Sequence, residues 1–314
     1  MPDDVSVVIC TNREERLEDL KRAVRSIGGQ SVPAYEVIVV VDHNPSLLDT
    51  VRMKLPIIEA IDNNKSRGLG GARNSGLARA TGTIVAFLDD DAVAAPDWVE
   101  QMTATYADSQ VVGVGGAAEA MFEGRRARWF PSEFNWVVGC SYEGQPKSAS
   151  AVRNLMGCNM SFRREVFQEV GEFRLGYGCD ETEFCIRVGQ RFPDAHLVHN
   201  PNVKVGHRVP GTRMSLRYFL SRCYFEGGSK AVVSWLVGAQ DGLSSERSYT
   251  LRTLPRGVLR GIEDALVGRD FSGLARASAI CLGLAATTAG YLRAQHSTTA
   301  AARRRGWTDL AIQS

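Results

Sequence analysis

The first part of the chain contains four apolar runs rich in Val and Ile, separated by polar segments. Short runs of this composition indicate strands that are covered on both faces of a sheet. They occupy residues 5–10, 35–41, 57–61 and 84–88. After the first run, apolar residues recur at helical spacing, at Leu17, Leu20, Val24 and Ile27. The pattern predicts βαβ units in a Rossmann-like, mostly parallel α/β sheet with helices on both faces.

The last third of the chain has helical periodicity instead. The pattern predicts a helical extension at residues 213–295 and a frayed tail at residues 296–314. The small-residue run at 277–291 is shorter than the roughly 20 apolar residues of a membrane-spanning helix, so it predicts a packed helix. Aromatic and basic residues alternate at 213–236. This pattern favours either acceptor binding or contact with a membrane surface. The alternative is a solvated helix face stabilised by i,i+4 pairs.

The run at 84–88 leads directly into Asp89, Asp90 and Asp91. Open α/β sheets bind ligands at the carboxyl ends of such strands. In extended chain Asp89 and Asp91 leave the same face, so they can share one divalent cation, while Asp90 points elsewhere. Oxygen ligands suit Mg²⁺ or Mn²⁺. The alternative is a solvated acidic turn before a helix that starts near residue 96.

A glycine-rich segment, NKSRGLGGARNSGL, precedes this strand. Glycines allow the backbone to approach a ligand closely, and the N-terminus of a following helix attracts anions. The lysine of a P-loop is absent, which excludes a nucleoside triphosphatase of that kind. Arg73 is placed to pair with a diphosphate, or alternatively to pack against the rim of the sheet.

Composition narrows the class of protein. The 314 residues are 44% hydrophobic and 23% charged, as in soluble globular proteins, and a net charge of +2 gives no general attraction to nucleic acid. The first strand starts at residue 5, so we expect no signal peptide. Seven cysteines without a C-x-x-C pair predict reduced thiols in a cytoplasmic protein, with no zinc or disulfide framework.

Taken together, these segments resemble the inverting glycosyltransferases of family 2, which have the GT-A fold. The resemblance covers residues 5 to about 210 and is carried by VSVVICTNRE, YEVIVVVDHN, NKSRGLGGARNSGLARATGTIVAFLDDDAVAAPDW, NLMGCNMSFRREVFQEVGEF and GCDETEFCIR. It implies a GT-A domain at 1–212, with a nucleotide-sugar half at 1–115 and an acceptor half at 116–212. The segment 125–131 would be a loop over the acceptor site or an ordinary surface loop.

The resemblance also implies roles for individual residues. The residues implied to bind the nucleotide sugar donor are Thr11, Arg13, Asp42, Arg73, Asp89 and Asp90. Asp91, Asp89 and His207 would hold Mn²⁺ or Mg²⁺, although a lone histidine is often structural. In the pair Asp180-Glu181 the family's usual order of acid types is reversed, so Glu181 is the favoured general base and Asp180 the alternative. Without the resemblance, both would be explained as acids in the first turn of a helix.

The resemblance implies metal-dependent transfer of a sugar from a nucleotide diphosphate donor to a hydroxyl of a glycan, a lipid-linked sugar or a metabolite. It favours uridine diphosphate as the carrier. One rival is a nucleotidyltransferase, in which the glycine-rich loop would stand closer to the first strand. Another is an inactive sugar-nucleotide-binding scaffold, which predicts a broken set of acids. Contact with the inner face of the cell membrane and homo-oligomer formation stay open.

Overall fold

The computed structural model describes residues 4–175, 178–238 and 244–304. The chain divides into two compact units. The first comprises Met1–Met121, Pro146–Leu175 and Asp180–Arg208, and the second comprises Phe122–Gln145, Gly176–Cys179 and Val209–Ser314. The second unit therefore takes in, besides the helical extension, a segment from the middle of the chain. The last helix continues to Arg304, beyond the start of the expected tail at 296, and residues 305–314 lie outside the described residues.

Nine strands of the described chain form one sheet, in the order β3-β2-β1-β4-β8-β6-β9-β5, with β7 paired to β9. Strands β1 to β4 are parallel to one another, whereas β8 is antiparallel to both β4 and β6. The strands are β1 (Val5–Thr11), β2 (Glu36–Val41), β3 (Glu59–Asp62), β4 (Ile84–Asp89), β5 (Ala92–Ala94), β6 (Val111–Phe122), β7 (Ser150–Val152), β8 (Asn159–Arg163) and β9 (His196–Val209).

Both faces of the parallel half are covered by helices. In β1, Val7 and Ile9 pack into one hydrophobic cluster and Val8 into the other. The first cluster is covered by α1 (Leu17–Gly28), α2 (Pro45–Lys54) and α4 (Trp98–Thr105). The second is covered by α3 (Leu69–Arg79), α5 (Arg164–Val170) and α6 (Asp180–Arg191). Apolar residues at consecutive strand positions thus serve two cores, and the predicted α/β fold is confirmed.

Helix α2 was not predicted from the sequence. Its start carries two recognisable signals: the side chain of Asn44 accepts a hydrogen bond from the backbone N–H of Leu47 at 3.1 Å, and Pro45 occupies the first helical position. The helix contributes Leu47, Leu48 and Val51 to the core. A short segment between two apolar strands resembles a loop in the sequence. The Asn44 cap and Pro45 nevertheless mark the start of a helix.

The second unit is mainly helical. It contains α7 (Leu216–Val237), α8 (Ser244–Ser248), a π-helical turn (Tyr249–Thr253), α9 (Leu254–Leu266) and α10 (Ser272–Arg304). Helices α7 and α10 approach each other through glycines: a Cβ at Gly227 would collide with the carbonyl of Thr287, and one at Gly290 with the carbonyl of Tyr224. The small-residue run in α10 is therefore a packing surface, as predicted.

Aromatic rings fill the remaining core of the second unit. The ring of Phe219 on α7 contacts Trp129, Phe130 and Phe134, with centroids 5.2 to 5.6 Å apart. Residues 129 and 130 thus anchor the segment predicted as a loop. On α7 the expected i,i+4 pair forms between Glu226 and Lys230 at 3.5 Å. In the parts of the chain that the structure describes, no helix has the length and apolar character needed to cross a bilayer.

The glycine contacts of α7 can be tested with neighbouring substitutions. Gly227→Ala is expected to lower the free energy of unfolding by about 1–3 kcal/mol, because the added methyl group meets a helix backbone that cannot yield. Gly228→Ala is the matched control. The nearest atoms to a Cβ there are at 3.9 Å, so it should leave stability unchanged or raise it by up to about 1 kcal/mol.

Urea denaturation followed by circular dichroism measures both variants. A Gly227→Ala protein as stable as Gly228→Ala would contradict the close approach of α7 and α10.

Candidate active site

The carboxyl ends of β1, β2 and β4 meet at one edge of the sheet. The register of β1 against β4 pairs Cys10 with Asp89, so Thr11 stands beside the acidic triplet. The Thr11 hydroxyl donates to Asp90 Oδ2 at 2.7 Å, and the Asp42 N–H donates to the carbonyl of Thr11 at 2.8 Å. The ends of these three strands therefore lie together.

Three side chains at this edge form a candidate metal site. Asp89, Asp91 and His207 each offer a ligand atom, and these atoms all lie within 4.8 Å of one another. His207 Nε2 is 3.2 Å from Asp91 Oδ1 and 3.9 Å from Asp89 Oδ2. Asp91 and His207 are buried, and Asp89 is half-buried. Two carboxylates and one imidazole form a donor set that Mn²⁺ accepts, so the residues fit a divalent cation.

Strand pairing explains how a residue more than a hundred positions away reaches the acids. β5 follows the acidic triplet immediately and pairs antiparallel with β9, with Ala92 opposite His207. The N–H of Arg208 donates to the carbonyl of Asp91 at 2.9 Å. β5 is only three residues long and begins directly after Asp91. Its register against β9 therefore decides which side chain of β9 lies beside the acids.

Asp90 turns away from this group, as its place between the two metal-site acids predicts. Its Oδ1 accepts a hydrogen bond from the guanidinium of Arg16 at 2.6 Å, and the same guanidinium lies 3.3 Å from Asp91 Oδ2. Burial raises the pKa of Asp90 to about 6, against the opposing effects of Arg16 and the Thr11 hydroxyl. Arg16 was missed in the sequence, because nothing distinguishes it from its charged neighbours in TNREER.

A cleft of about 200 Å³ opens at the same edge of the sheet. Five of the six residues expected to bind the donor line it, the exception being Arg73. Its lining residues are Cys10, Thr11, Asn12, Arg13, Arg16, Asp42, Leu69, Ala72, Asp89 and Asp90.

Asp42 connects β2 to the glycine-rich segment. Its Oδ1 accepts from Asn63 Nδ2 at 2.6 Å and lies 2.9 Å from His43 Nδ1, while its Oδ2 accepts from the N–H of Gly68 at 3.0 Å. Burial opposes ionisation of Asp42, but these hydrogen bonds outweigh it and lower the pKa of the carboxyl. Gly68 has a φ of +120°, a conformation that favours glycine. Asp42 therefore shapes the wall of the cleft.

Arg73 is buried among carboxylates. Its guanidinium lies 3.2 Å from Asp180 Oδ2, 3.8 Å from Glu181 Oε2 and 3.9 Å from Asp89 Oδ1, and it donates to the carbonyl of Gly157 at 3.0 Å. Burial disfavours its charge, but the three acids more than compensate and raise the pKa of Arg73. The side chain, 3% exposed, therefore links the candidate metal site to the acid pair of α6.

The acid pair stands at the start of α6. Asp180 and Glu181 are its first two residues, with side chains 14% and 23% exposed. Acids are favourable in the first turn of a helix, so the explanation as helix-start acids also holds. Two glycines leave room for them: a Cβ at Gly70 would lie 3.1 Å from Asp180 Oδ2, and one at Gly157 would lie 3.4 Å from Glu181 Cγ.

Asn159 on β8 stabilises the sheet around the end of β4. Its Oδ1 accepts from the indole of Trp98 at 2.9 Å, and its Nδ2 donates to the carbonyls of Val203 and Ala117 at 2.8 and 3.1 Å. It pairs with Leu88 on β4, directly before the acids. One buried amide thus fixes α4, β6 and β9 around the end of β4, which is a structural role.

Comparison with known proteins agrees with this architecture. The family model described as Glycosyl transferase family 2 matches residues 6–171. The chain is 34% identical over 244 residues to a glucosyl-dolichyl phosphate glucuronosyltransferase of Haloferax volcanii, an alignment that covers 74% of this chain and 78% of that protein.

Two solved structures have the same fold. The mannosyltransferase PcManGT of Pyrobaculum calidifontis, in complex with GDP-Man and Mn²⁺, has a TM-score of 0.61 and 18% identity, and the match covers 93% of this chain and 88% of that one. GalNAc-T7 with UDP, GalNAc and Mn²⁺ has a TM-score of 0.51 and 17% identity, covering 73% and 51% of the two chains. By the family match and the sequence relative, together with this fold, the chain belongs to glycosyl transferase family 2 and is a glycosyltransferase with the GT-A fold.

Proposed function

We propose that this glycosyltransferase moves a sugar from a nucleotide diphosphate donor to an acceptor hydroxyl with inversion at the anomeric carbon. The observation that carries the proposal is the position of Arg73, which contacts Asp89 of the candidate metal site and both acids of α6. Donor activation and proton removal require two separate groups of charged residues held at a fixed distance. A buried arginine between the two groups meets that requirement.

Asp89, Asp91 and His207 are the proposed metal ligands, for Mn²⁺ or Mg²⁺. Charge supports this, since a divalent cation would offset the repulsion between Asp89 and Asp91, whose ligand oxygens lie within 4.8 Å of each other and of His207. When bound, a divalent cation neutralises negative charge on the diphosphate and on the departing nucleotide. Mn²⁺ in both structural neighbours supports manganese in particular.

The proposed donor cleft is the one beside the acidic triplet. Thr11, Arg13 and Asp42 are placed to contact the nucleotide, and Asp89 and Asp90 to border the donor sugar. We propose uridine diphosphate as the carrier, on the resemblance to the family and on the UDP in the GalNAc-T7 structure. PcManGT contains GDP-Man, so guanosine diphosphate is the comparison ligand in any binding test.

Glu181 is the proposed general base, with Asp180 as the alternative. In a single displacement the acceptor oxygen attacks the anomeric carbon, the bond from that carbon to the phosphate oxygen breaks, and the hydroxyl proton passes to a carboxylate. Asp180 is held by Arg73 at 3.2 Å, whereas Glu181 is 3.8 Å from the guanidinium and more exposed. The more exposed carboxylate is the one that can turn towards an acceptor hydroxyl.

The acceptor classes proposed are a glycan, a lipid-linked sugar and a small metabolite. The name of the Haloferax volcanii relative contains glucosyl-dolichyl phosphate, which favours the lipid-linked class.

The rival functions fit the site less well. An inactive scaffold predicts a broken set of acids, whereas here the five acids and His207 are all present and each lies close to its partner at the site. A nucleotidyltransferase gains no support, because the glycine-rich segment follows β3 and not β1.

Loss of a metal ligand tests the cation site. Asp91→Asn should abolish the Mn²⁺-dependent thermal stabilisation by UDP and reduce turnover about a hundredfold or more, because charge on the diphosphate is no longer neutralised. In the wild type, a nucleotide at a hundred times its Kd should stabilise by about 2.7 kcal/mol. Asp62→Asn, an exposed acid at the end of β3, is the matched control and should behave as wild type.

The readouts are thermal shift with UDP or GDP, with and without Mn²⁺, and turnover in chelator. Full activity of Asp91→Asn in excess chelator would contradict the metal assignment.

A second test distinguishes the two candidate bases. Glu181→Gln should bind donor and Mn²⁺ normally yet transfer sugar about 10²–10⁴-fold more slowly, because no carboxylate removes the acceptor proton. Asp180→Asn should keep most of its turnover and lose thermal stability, since the buried Arg73 loses its nearest acid. Single-turnover kinetics and donor titration separate the effects. If Asp180→Asn shows the slow transfer and Glu181→Gln does not, Asp180 is the base.

A further inference from the structure

Helix α9 in the second unit has two apolar sides. One side is buried and includes Leu254, Gly257, Gly261 and Ala265. There the backbones pack closely, because a Cβ at Gly261 would lie 2.6 Å from the carbonyl of Gly273 at the start of α10. The other side is exposed to solvent, although its residues are also large and apolar. Burial in the unit accounts for the first side only.

The exposed side forms a continuous stripe that reaches into the turn after the helix. On α9, Leu259, Ile262 and Leu266 follow helical spacing and are 65%, 37% and 76% exposed. Leu251, in the π-helical turn before the helix, is 75% exposed. Val267 and Phe271, in the turn to α10, are 78% and 75% exposed. We call these six residues the α9 apolar surface. Monomeric soluble proteins rarely leave so many neighbouring large apolar side chains in water, so the surface indicates a binding partner.

Arginines border the α9 apolar surface. Arginines recur every four residues, at Arg252 in the π-helical turn and at Arg256 and Arg260 on α9, and Arg269 lies in the turn after the helix. All four are exposed. Residues 251–276 contain five arginines and three acids. Two of these acids, Asp264 and Asp270, are held by Arg276 at 2.6 and 3.3 Å. Arg260 lies 3.9 Å from Glu133 Oε1 and 4.0 Å from Glu143 Oε1, so the border is cationic chiefly at the other three arginines.

We propose that the α9 apolar surface docks on the face of an anionic lipid bilayer. Apolar side chains would enter the boundary between headgroups and acyl chains, while the bordering arginines contact lipid phosphates. The helix would lie in the plane of the interface. This inference stands on the second unit alone and does not depend on the proposed donor, metal or base.

Charge also favours a lipid over a second copy of the chain. A two-fold contact through this surface would bring the same arginines of both copies together, and like charges would oppose association. The segment has too few acids to offset them, since two of its three are already paired to Arg276. An anionic bilayer supplies both an apolar phase and the opposite charge.

Flotation of the full chain with lipid vesicles tests the proposal. The wild type should bind vesicles of phosphatidylcholine with about 30% phosphatidylglycerol at least tenfold more tightly than pure phosphatidylcholine, and high salt should weaken the binding, because the arginines act over a Debye length. Absence of binding to the mixed vesicles would overturn the proposal directly.

Paired substitutions locate the contact. Leu266→Ser with Phe271→Ser should reduce vesicle binding about tenfold or more, since both side chains lose their transfer into the interface. The matched control is Met53→Ser with Ile57→Ser, which are 72% and 86% exposed in the first unit and should leave binding unchanged. Arg252→Gln with Arg256→Gln should remove most of the salt-sensitive part and leave the weak binding to phosphatidylcholine as it is.

Melting temperature and light scattering accompany each measurement. Every variant should melt with the wild type, because only exposed side chains change. If Leu266→Ser with Phe271→Ser alters the molecular mass and not the vesicle binding, the surface is a contact between copies and the lipid proposal is wrong. Equal binding by this variant and its control would also overturn it.

Discussion

The active site depends on a balance of charge. Five carboxylates from two distant parts of the chain stand at one edge of the sheet, and like charges at such distances cannot all be buried and ionised without compensation. Arg16 compensates Asp90 on one side, and Arg73 compensates Asp180 on the other. Each guanidinium also approaches a neighbouring acid, so the acids form one connected group.

This balance explains why Arg73 is buried at the start of α3 instead of lining the cleft. Its helix follows the glycine-rich segment, and small residues on both sides of its side chain let α6 come within hydrogen-bond distance. Gly70 accommodates Asp180, and Gly157 accommodates Arg73 itself. These two glycines therefore serve acid–arginine packing, although a Cβ at Gly70 would also meet the side chain of Leu175. A larger residue at either position would push the acids and the arginine apart.

The two units of the chain obtain stability in different ways. The first has a sheet whose strands are apolar on both faces, each face covered by three helices. The second relies on glycine contacts between α7 and α10 and on a cluster of aromatic rings around Phe219. Close contacts between small residues bury backbone efficiently but leave large apolar side chains elsewhere on the helices. On α9 these side chains, Leu259 and Leu266 among them, face outward, and this is the origin of the proposed lipid contact.

Much of this protein was determined by local sequence. Continuous apolar runs predict covered parallel strands, and the strand-end triplet predicts that Asp89 and Asp91 face one way and Asp90 the other, because side-chain direction alternates in extended chain. The tertiary structure alone decided that His207 faces the acids, since this depends on the register between two strands far apart in sequence. Only the tertiary structure decided that Arg16, among several charged residues, pairs with Asp90, and that Arg73 is buried. Long-range pairing and burial set these outcomes, and neither leaves a periodic signal in the chain.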